Sequence, residues 1–122
     1  MTVHLLIVIH AASCFIPTGH VTPSDGAAED RFGSAIAMEG SHLLSGAPLQ
    51  VGSGYNAGVV YAFQASDTQW VEVQQIRPDD LGPYGQFGTA IAIEGDLAAI
   101  SWIGADTVAE STGMVVLHEW ID

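Results

Sequence analysis

Lysine is absent from this chain, and only Arg31 and Arg77 oppose fourteen aspartates and glutamates among its 122 residues. The formal net charge at neutral pH is therefore −12. Such a chain repels polyanions, which disfavours nucleic acids and anionic membrane surfaces as partners. We expect the acidic side chains to form a solvated surface, and we expect no nucleic acid partner.

Cysteine and long apolar segments are also scarce. Cys14 is the only cysteine, so an intrachain disulfide is excluded. No apolar run reaches the roughly 20 residues of a transmembrane helix, and we expect no transmembrane span. Residues 3–16 are apolar enough for the core of a signal peptide, but no Lys or Arg precedes them. Residues 1–22 therefore have two interpretations, a signal-like segment or a pair of short strands.

Two stretches of the chain nearly repeat each other. Residues 32–40 return as residues 87–95, 55 positions later, and seven of the nine pairs are identical. The same offset relates residues 22–67 to residues 77–122 without a gap, and it extends back over residues 4–23. A fixed period of this size indicates one supersecondary unit that is used more than once. The chain therefore contains the tail of one unit, a complete unit and most of another.

Each unit consists of short apolar runs that are bounded by Gly, Asp, Ser and Pro. In the first unit these runs cover residues 32–40, 42–47, 59–63 and 70–76. This pattern predicts strands, and no window has a sustained helical period with caps. Four strands in a unit of this length are typical of a β-propeller blade. We predict an all-β incomplete propeller: two four-stranded antiparallel blades plus part of a preceding blade.

Three separated motifs occur in order in the first unit. They are Phe32-Gly33, Gly46-Ala47-Pro48 and the run Gly58-Val59-Val60-Tyr61-Ala62-Phe63. Together they resemble the FG-GAP repeat, which builds the β-propeller head of integrin α subunits and of many bacterial surface and secreted proteins. The resemblance implies an extracellular or cell-surface location.

The second unit retains only part of this pattern. Phe87-Gly88 and Gly113 are present, but Ser101-Trp102-Ile103 replaces the Gly-Ala-Pro motif, and residues 104–106 are a candidate shifted remnant. The glycines permit positive φ or a close approach of another strand, and we expect the two phenylalanines to pack between neighbouring blades. We therefore assign structural roles to Phe32, Gly33, Gly46, Ala47, Pro48, Gly58, Phe87, Gly88 and Gly113.

The chain divides into three parts under this interpretation. Residues 1–22 are a strand pair of a preceding partial blade or a signal-like segment, residues 23–77 are the first repeat, and residues 78–122 are an incomplete second repeat. A closed propeller has about four to eight blades. The chain is therefore a fragment of a longer protein, a degenerate remnant, or a unit whose copies assemble into a ring. The corresponding partners are further blades of the same parent chain or other copies of this chain.

Metal and catalytic motifs are not evident in the sequence. The resemblance makes calcium a possible ligand, but the Asp-rich loop that would hold it is replaced by residues 39–41 and 94–96, which are too short to surround an ion. The five histidines have no metal-ligand spacing, and no Gly-x-Ser-x-Gly motif is present. We therefore predict no catalytic residue, no metal site and no cofactor.

The remaining candidates for binding are aromatic residues, namely Trp70, Trp102, Trp120, Tyr55, Tyr61 and Tyr84. Tyr55 lies in the Gly-rich loop 52–58, and Trp102 lies at the altered motif of the second unit. Aromatic side chains on loops stack on sugars or anchor protein partners. We predict a non-catalytic binding or scaffold module that contacts protein or carbohydrate through its blade loops. The alternatives are a fragment of a propeller-fold hydrolase or lyase, or a degenerate remnant, because a fold alone does not define an activity.

Overall fold

The computed structural model describes residues 13–16, 18–51, 54–78, 83–105 and 112–121. Within these residues it contains seven strands and no helix, in two antiparallel sheets. The first sheet, blade 1, contains in spatial order β1 (Ala35–Glu39), β2 (His42–Ala47), β3 (Val59–Ser66) and β4 (Gln69–Ile76). The second sheet, blade 2, contains β5 (Phe87–Glu94), β6 (Leu97–Trp102) and β7 (Met114–Glu119). The prediction of an all-β fold with propeller-type blades is confirmed, and among the described residues blade 2 has three strands where four were predicted.

The two blades repeat each other in backbone geometry as well as in sequence. Left-handed φ angles of 63° at Arg31 and 53° at Gln86 lie 55 positions apart. The amide of Gly58 donates to the carbonyl of Gln50 at 3.1 Å, and the amide of Gly113 donates to the carbonyl of Ala105 at 3.0 Å. The matching segments therefore fold into matching sheets.

The altered motif of blade 2 keeps this register. Trp102 pairs with Met114 in the same way that Ala47 pairs with Val59. Because Ala105 occupies the position of Gln50, residues 101–103 occupy the position of the Gly-Ala-Pro motif without a shift. The prediction that residues 104–106 are a shifted remnant is wrong, since the strand pairing fixes the alignment there.

The main core lies between the two blades. Alternate residues of β2 and β3 point toward blade 2, where the Phe87 side chain is fully buried between the sheets. Burial of these side chains on both sheets is the main force that holds the blades together. We call this set the interblade core; its largest members are Leu44, Val60, Ile76, Phe87, Ile100 and Trp102.

Motif glycines lie where the backbones of the two blades meet. A Cβ atom on Gly46 would lie against the carbonyl oxygen of Gly88, and a Cβ on Gly88 would lie 2.9 Å from Cγ2 of Val60. Gly58 forms an isolated parallel β-bridge with Phe87. The separated parts of the repeat motif therefore converge on one junction, which requires residues without side chains.

A second cluster covers the opposite face of blade 1. Its buried members are Leu43, Ala47, Val59, Tyr61 and Phe63. Phe32 packs edge-on against Tyr61, with ring centroids 5.5 Å apart, and Val21 also covers this face. Val21 packs against this second cluster. Ile76, its counterpart 55 positions later, packs in the interblade core in the equivalent way.

The predicted strand pair in residues 1–22 falls largely outside the described residues. Residues 13–16 and 18–22 are described and belong to no strand. The packing of Val21 agrees with the repeat register, and the division at residues 22 and 77 stays a prediction.

Candidate functional site

Two exposed tyrosines meet at the loop end of the molecule. Tyr55 is 60% exposed and Tyr84 is 61% exposed, although their rings contact each other with centroids 5.7 Å apart and an interplanar angle of 68°. Tyr55 belongs to the loop between β2 and β3, and Tyr84 belongs to the connection between β4 and β5. We call these two residues the tyrosine pair.

Backbone hydrogen bonds hold the tyrosine pair in place. The amide of Tyr84 donates to the carbonyl of Tyr55 at 2.7 Å, and the amide of Gln86 donates to the carbonyl of Asn56 at 3.0 Å. One residue further on, the amide of Phe87 donates to the carbonyl of Ala57 at 2.9 Å. The two loops therefore run side by side into the interblade junction, and little backbone freedom is lost when a ligand binds there.

The tyrosine pair offers two kinds of contact. Each ring presents apolar surface, and each hydroxyl can donate and accept a hydrogen bond. Tyrosine lowers the entropy cost of binding because it has only two side-chain torsions. The pair is therefore chemically suited to a ligand that has both apolar faces and hydroxyl or amide groups.

Trp102, the other residue predicted to bind, lies elsewhere. Its side chain is buried in the interblade core, edge-on to Phe87 with centroids 6.5 Å apart. Its Nε1 atom is buried and has no hydrogen-bond partner among the described residues. The structure thus does not bring Trp102 and Tyr55 to one surface, because the strand register turns Trp102 toward blade 1.

The sequence offers Tyr84 as one of its aromatic candidates for binding, but it does not place Tyr84 beside Tyr55. Tyr84 stands between Pro83 and Gly85, in a segment with the composition of a turn. An aromatic residue in a turn is a signal of exposure, and this signal was available in the sequence. Its contact with Tyr55, 29 positions earlier, depends on how the two blades stack.

A cleft of about 490 Å³ lies between the blades at the opposite end, near the β1–β2 and β5–β6 turns. The imidazole of His42 stacks on the indole of Trp120 there, with centroids 3.8 Å apart and planes 20° apart. A carboxylate oxygen of Glu39 accepts a hydrogen bond of 3.0 Å from the amide of Gly95, which joins the two turns. His118 also lines this cleft, and its buried Nδ1 atom has no hydrogen-bond partner among the described residues.

Neither end of the described structure presents a metal centre. Among the described residues, no group of three or more His, Cys, Asp or Glu side chains is arranged to hold an ion. The described part of the chain also contains no helix long and apolar enough to cross a membrane.

The family of the chain follows from a comparison with known repeats. A model of the FG-GAP repeat matches residues 17–63 and again residues 70–116, which together make up more than half of the chain. The chain belongs to the FG-GAP repeat family. Each matched span of this FG-GAP protein ends in the third strand of a blade, β3 or β7. Comparison with curated proteins gives no significant match.

Proposed function

We propose that the chain is a non-catalytic binding module of FG-GAP type and that it binds its partner through the tyrosine pair. The observation that carries this proposal is the exposure of Tyr55 and Tyr84 on loops that the interblade junction fixes. Exposed, pre-positioned aromatic side chains are typical centres of binding energy in recognition surfaces.

The chemistry of the pair and the charge of the chain define the class of partner. A net charge of −12 repels polyanions, so the partner is neutral or basic. A neutral carbohydrate meets these conditions, because its ring stacks on an aromatic face while its hydroxyls bond to the phenol groups. A protein partner that packs an apolar side chain against the exposed surface of the rings is the second candidate. Both classes of partner agree with an extracellular or cell-surface location, which we propose from the family resemblance.

Binding assays with matched variants test this proposal. The probe is an array of neutral oligosaccharides, with a set of immobilised extracellular proteins as a parallel arm. We expect Tyr55→Ala to lower the affinity about tenfold or more, because truncation of a central aromatic residue removes over 1 kcal/mol of binding energy. Tyr84→Ala should act in the same direction, and Tyr55→Phe should retain the part of the affinity that stacking supplies.

Val51→Ala is the matched control, since Val51 is equally exposed in the same loop and does not belong to the tyrosine pair. If a ligand binds Tyr55→Ala and Tyr84→Ala with the same affinity as the wild type, its binding surface does not include the tyrosine pair. Binding by neither arm of the assay would contradict the proposal as a whole.

A further inference from the structure

The chain contains three tyrosines, and the structure places them in two different environments. Tyr61 is fully buried on β3, and its hydroxyl donates a hydrogen bond to Asp25. Tyr55 and Tyr84 are both exposed, and their ring centroids lie 5.7 Å apart. Two neighbouring exposed phenols are the arrangement from which one-electron oxidation forms a carbon–carbon bond between tyrosines. The tyrosine pair is therefore suited to a covalent modification as well as to binding.

The backbone keeps the two rings of the tyrosine pair together. The amide of Tyr84 donates to the carbonyl of Tyr55 at 2.7 Å. On the other side, the amide of Gly104 in blade 2 donates to the carbonyl of Gly85 at 2.9 Å. The segment that carries Tyr84 is thus fixed from both blades. The effective concentration of one ring at the other is therefore far higher than that of a ring from another copy of the chain.

The rings themselves can reorient although the backbone is fixed. They meet edge to face, with an interplanar angle of 68°, and about three fifths of each residue is exposed. Bond formation between the rings requires rotation about side-chain torsions, and exposed side chains make such rotations in picoseconds to nanoseconds. The coupling geometry is therefore reached by side-chain rotation while the two loops stay in place.

We propose that Tyr55 and Tyr84 are a site of oxidative cross-linking, at which hydrogen peroxide and a haem peroxidase join the two rings as dityrosine. Each phenol gives up one electron and one proton and becomes a phenoxyl radical. The two radicals combine in a bond between the Cε carbons beside their hydroxyl groups. The hydrogens on these carbons then move to the phenol oxygens, which restores both aromatic rings. In total two hydrogen atoms leave the protein, and one peroxide molecule is reduced to two molecules of water.

Charge and burial direct the reaction to this pair. Two copies that each carry a net charge of −12 repel each other, which disfavours cross-links between chains. Burial shields the ring of Tyr61 from an oxidant in solution. Cys14 is exposed, and its thiol would reduce a phenoxyl radical before the rings couple. The reaction is therefore best measured in a Cys14→Ser background.

The cross-link fastens the loop between β2 and β3 to the connection that leads into β5. It closes a loop between residues 55 and 84 and so lowers the conformational entropy of the unfolded chain, as a disulfide does. An intrachain disulfide is excluded because the chain has a single cysteine, so dityrosine supplies a covalent link by another route. A closed loop of this length should raise the melting temperature by roughly 10 °C.

Oxidation of the full chain with hydrogen peroxide and a haem peroxidase tests the proposal. We expect blue dityrosine fluorescence and a monomer whose mass is lower by two hydrogen atoms. Cleavage after glutamate places Tyr55 in residues 40–72 and Tyr84 in residues 73–94, so these two peptides should appear as one joined species. The melting temperature of the cross-linked monomer, measured by circular dichroism, should exceed that of the untreated protein.

Phenylalanine variants assign the product to the two residues. Tyr55→Phe and Tyr84→Phe each keep an aromatic ring and remove the phenol, so each should abolish the cross-link within the chain. Tyr61→Phe is the matched control, because it removes the same group from the buried ring, and its yield should equal that of the parent. Circular dichroism before oxidation verifies that every variant is folded.

Several outcomes would overturn the proposal. Absence of dityrosine, or cross-links only between copies with a yield that rises with protein concentration, would show that the two rings do not couple within one chain. A product that persists in Tyr84→Phe would assign the link to Tyr61. An unchanged melting temperature would contradict the role of the link as a fastening. Because no ligand takes part in this test, its failure leaves the proposed binding function to be decided by the binding assays.

Discussion

Among single residues, Tyr61 shows how the segment before the first blade is joined to it. Its side chain is buried on β3, and its hydroxyl donates a hydrogen bond of 2.6 Å to the carboxylate of Asp25. This hydrogen bond lowers the pKa of Asp25 below its ordinary value of 3.8. Burial, together with the same carboxylate, raises the pKa of Tyr61 above its ordinary value of 10.0. The pair therefore favours the charged carboxylate and the neutral phenol.

The pH dependence of stability should reveal this bond. A carboxyl group whose pKa is lowered by folding stabilises the native state above its unfolded pKa and loses this effect as the pH falls. The raised pKa of Tyr61 has the converse effect, so its contribution is complete below about pH 10 and declines above it. The free energy of unfolding of the wild type should exceed that of Tyr61→Phe by about 1 kcal/mol near neutrality, since Asp25 is solvent-exposed.

Urea unfolding of both proteins from pH 2 to pH 11 measures this difference. We expect it to be constant between about pH 4 and pH 10 and to shrink on either side of that window. Parallel pH profiles for the wild type and Tyr61→Phe would contradict the assignment of this bond as a stabilising contact.

For the sheets, the decisive feature is how closely their backbones approach. Gly46 of β2 lies against Gly88 of β5, and neither position has room for a methyl group. The same contact brings Phe87 into the interblade core. The glycines of the repeat motif therefore set the spacing between the two sheets as well as the conformation of the local turns.

Gly46→Ala tests the importance of this spacing. We expect it to lower the free energy of unfolding by about 2–3 kcal/mol, because the added methyl group forces the sheets apart. Gly40→Ala is the control: its φ of 56° is strained for alanine, but no atom lies within 4 Å of the added Cβ. This variant should lower the free energy of unfolding, measured with urea, by only about 1 kcal/mol. An equal loss of unfolding free energy in the two variants would show that the close approach of Gly46 and Gly88 does not contribute to stability.

In the whole molecule, the interblade core makes the two blades mutually dependent. Its members come from β2, β3 and β4 of blade 1 and from β5 and β6 of blade 2. A single hydrophobic core shared by two sheets predicts a single cooperative unfolding transition. A degenerate remnant, which was one alternative for this chain, would unfold without such cooperativity.

Thermal unfolding of Phe87→Ala tests this dependence. Trp70 reports on blade 1 and Trp102 on blade 2, so single-tryptophan variants should give coincident transitions. Loss of the Phe87 ring should lower the free energy of unfolding by about 3–5 kcal/mol and shift both transitions together. Phe15→Ala should leave them unchanged, because Phe15 is fully exposed. Separate transitions for the two reporters would show that the blades are independent.

Much of the architecture could be predicted from the chain because the repeat is recorded directly in its residues. Short β-branched and aromatic runs between turn residues predicted the strands, and the offset of 55 predicted which strands correspond. The candidate site was less predictable. Tyr55 is exposed as expected, whereas Trp102 is buried, since its orientation depends on strand register rather than on neighbouring residues.

The sequence by itself determined the strands, their order and the equivalence of the two blades, because alternation of apolar residues and turn chemistry act over a few positions. Only the tertiary structure decided that Tyr84 joins Tyr55, that Gly46 contacts Gly88, and that Trp102 enters the core. These contacts join residues that are distant in the chain, and they form only when one sheet packs on the other. The packing of one blade on the other therefore decides which of the repeated residues lie together on the surface and which lie in the core.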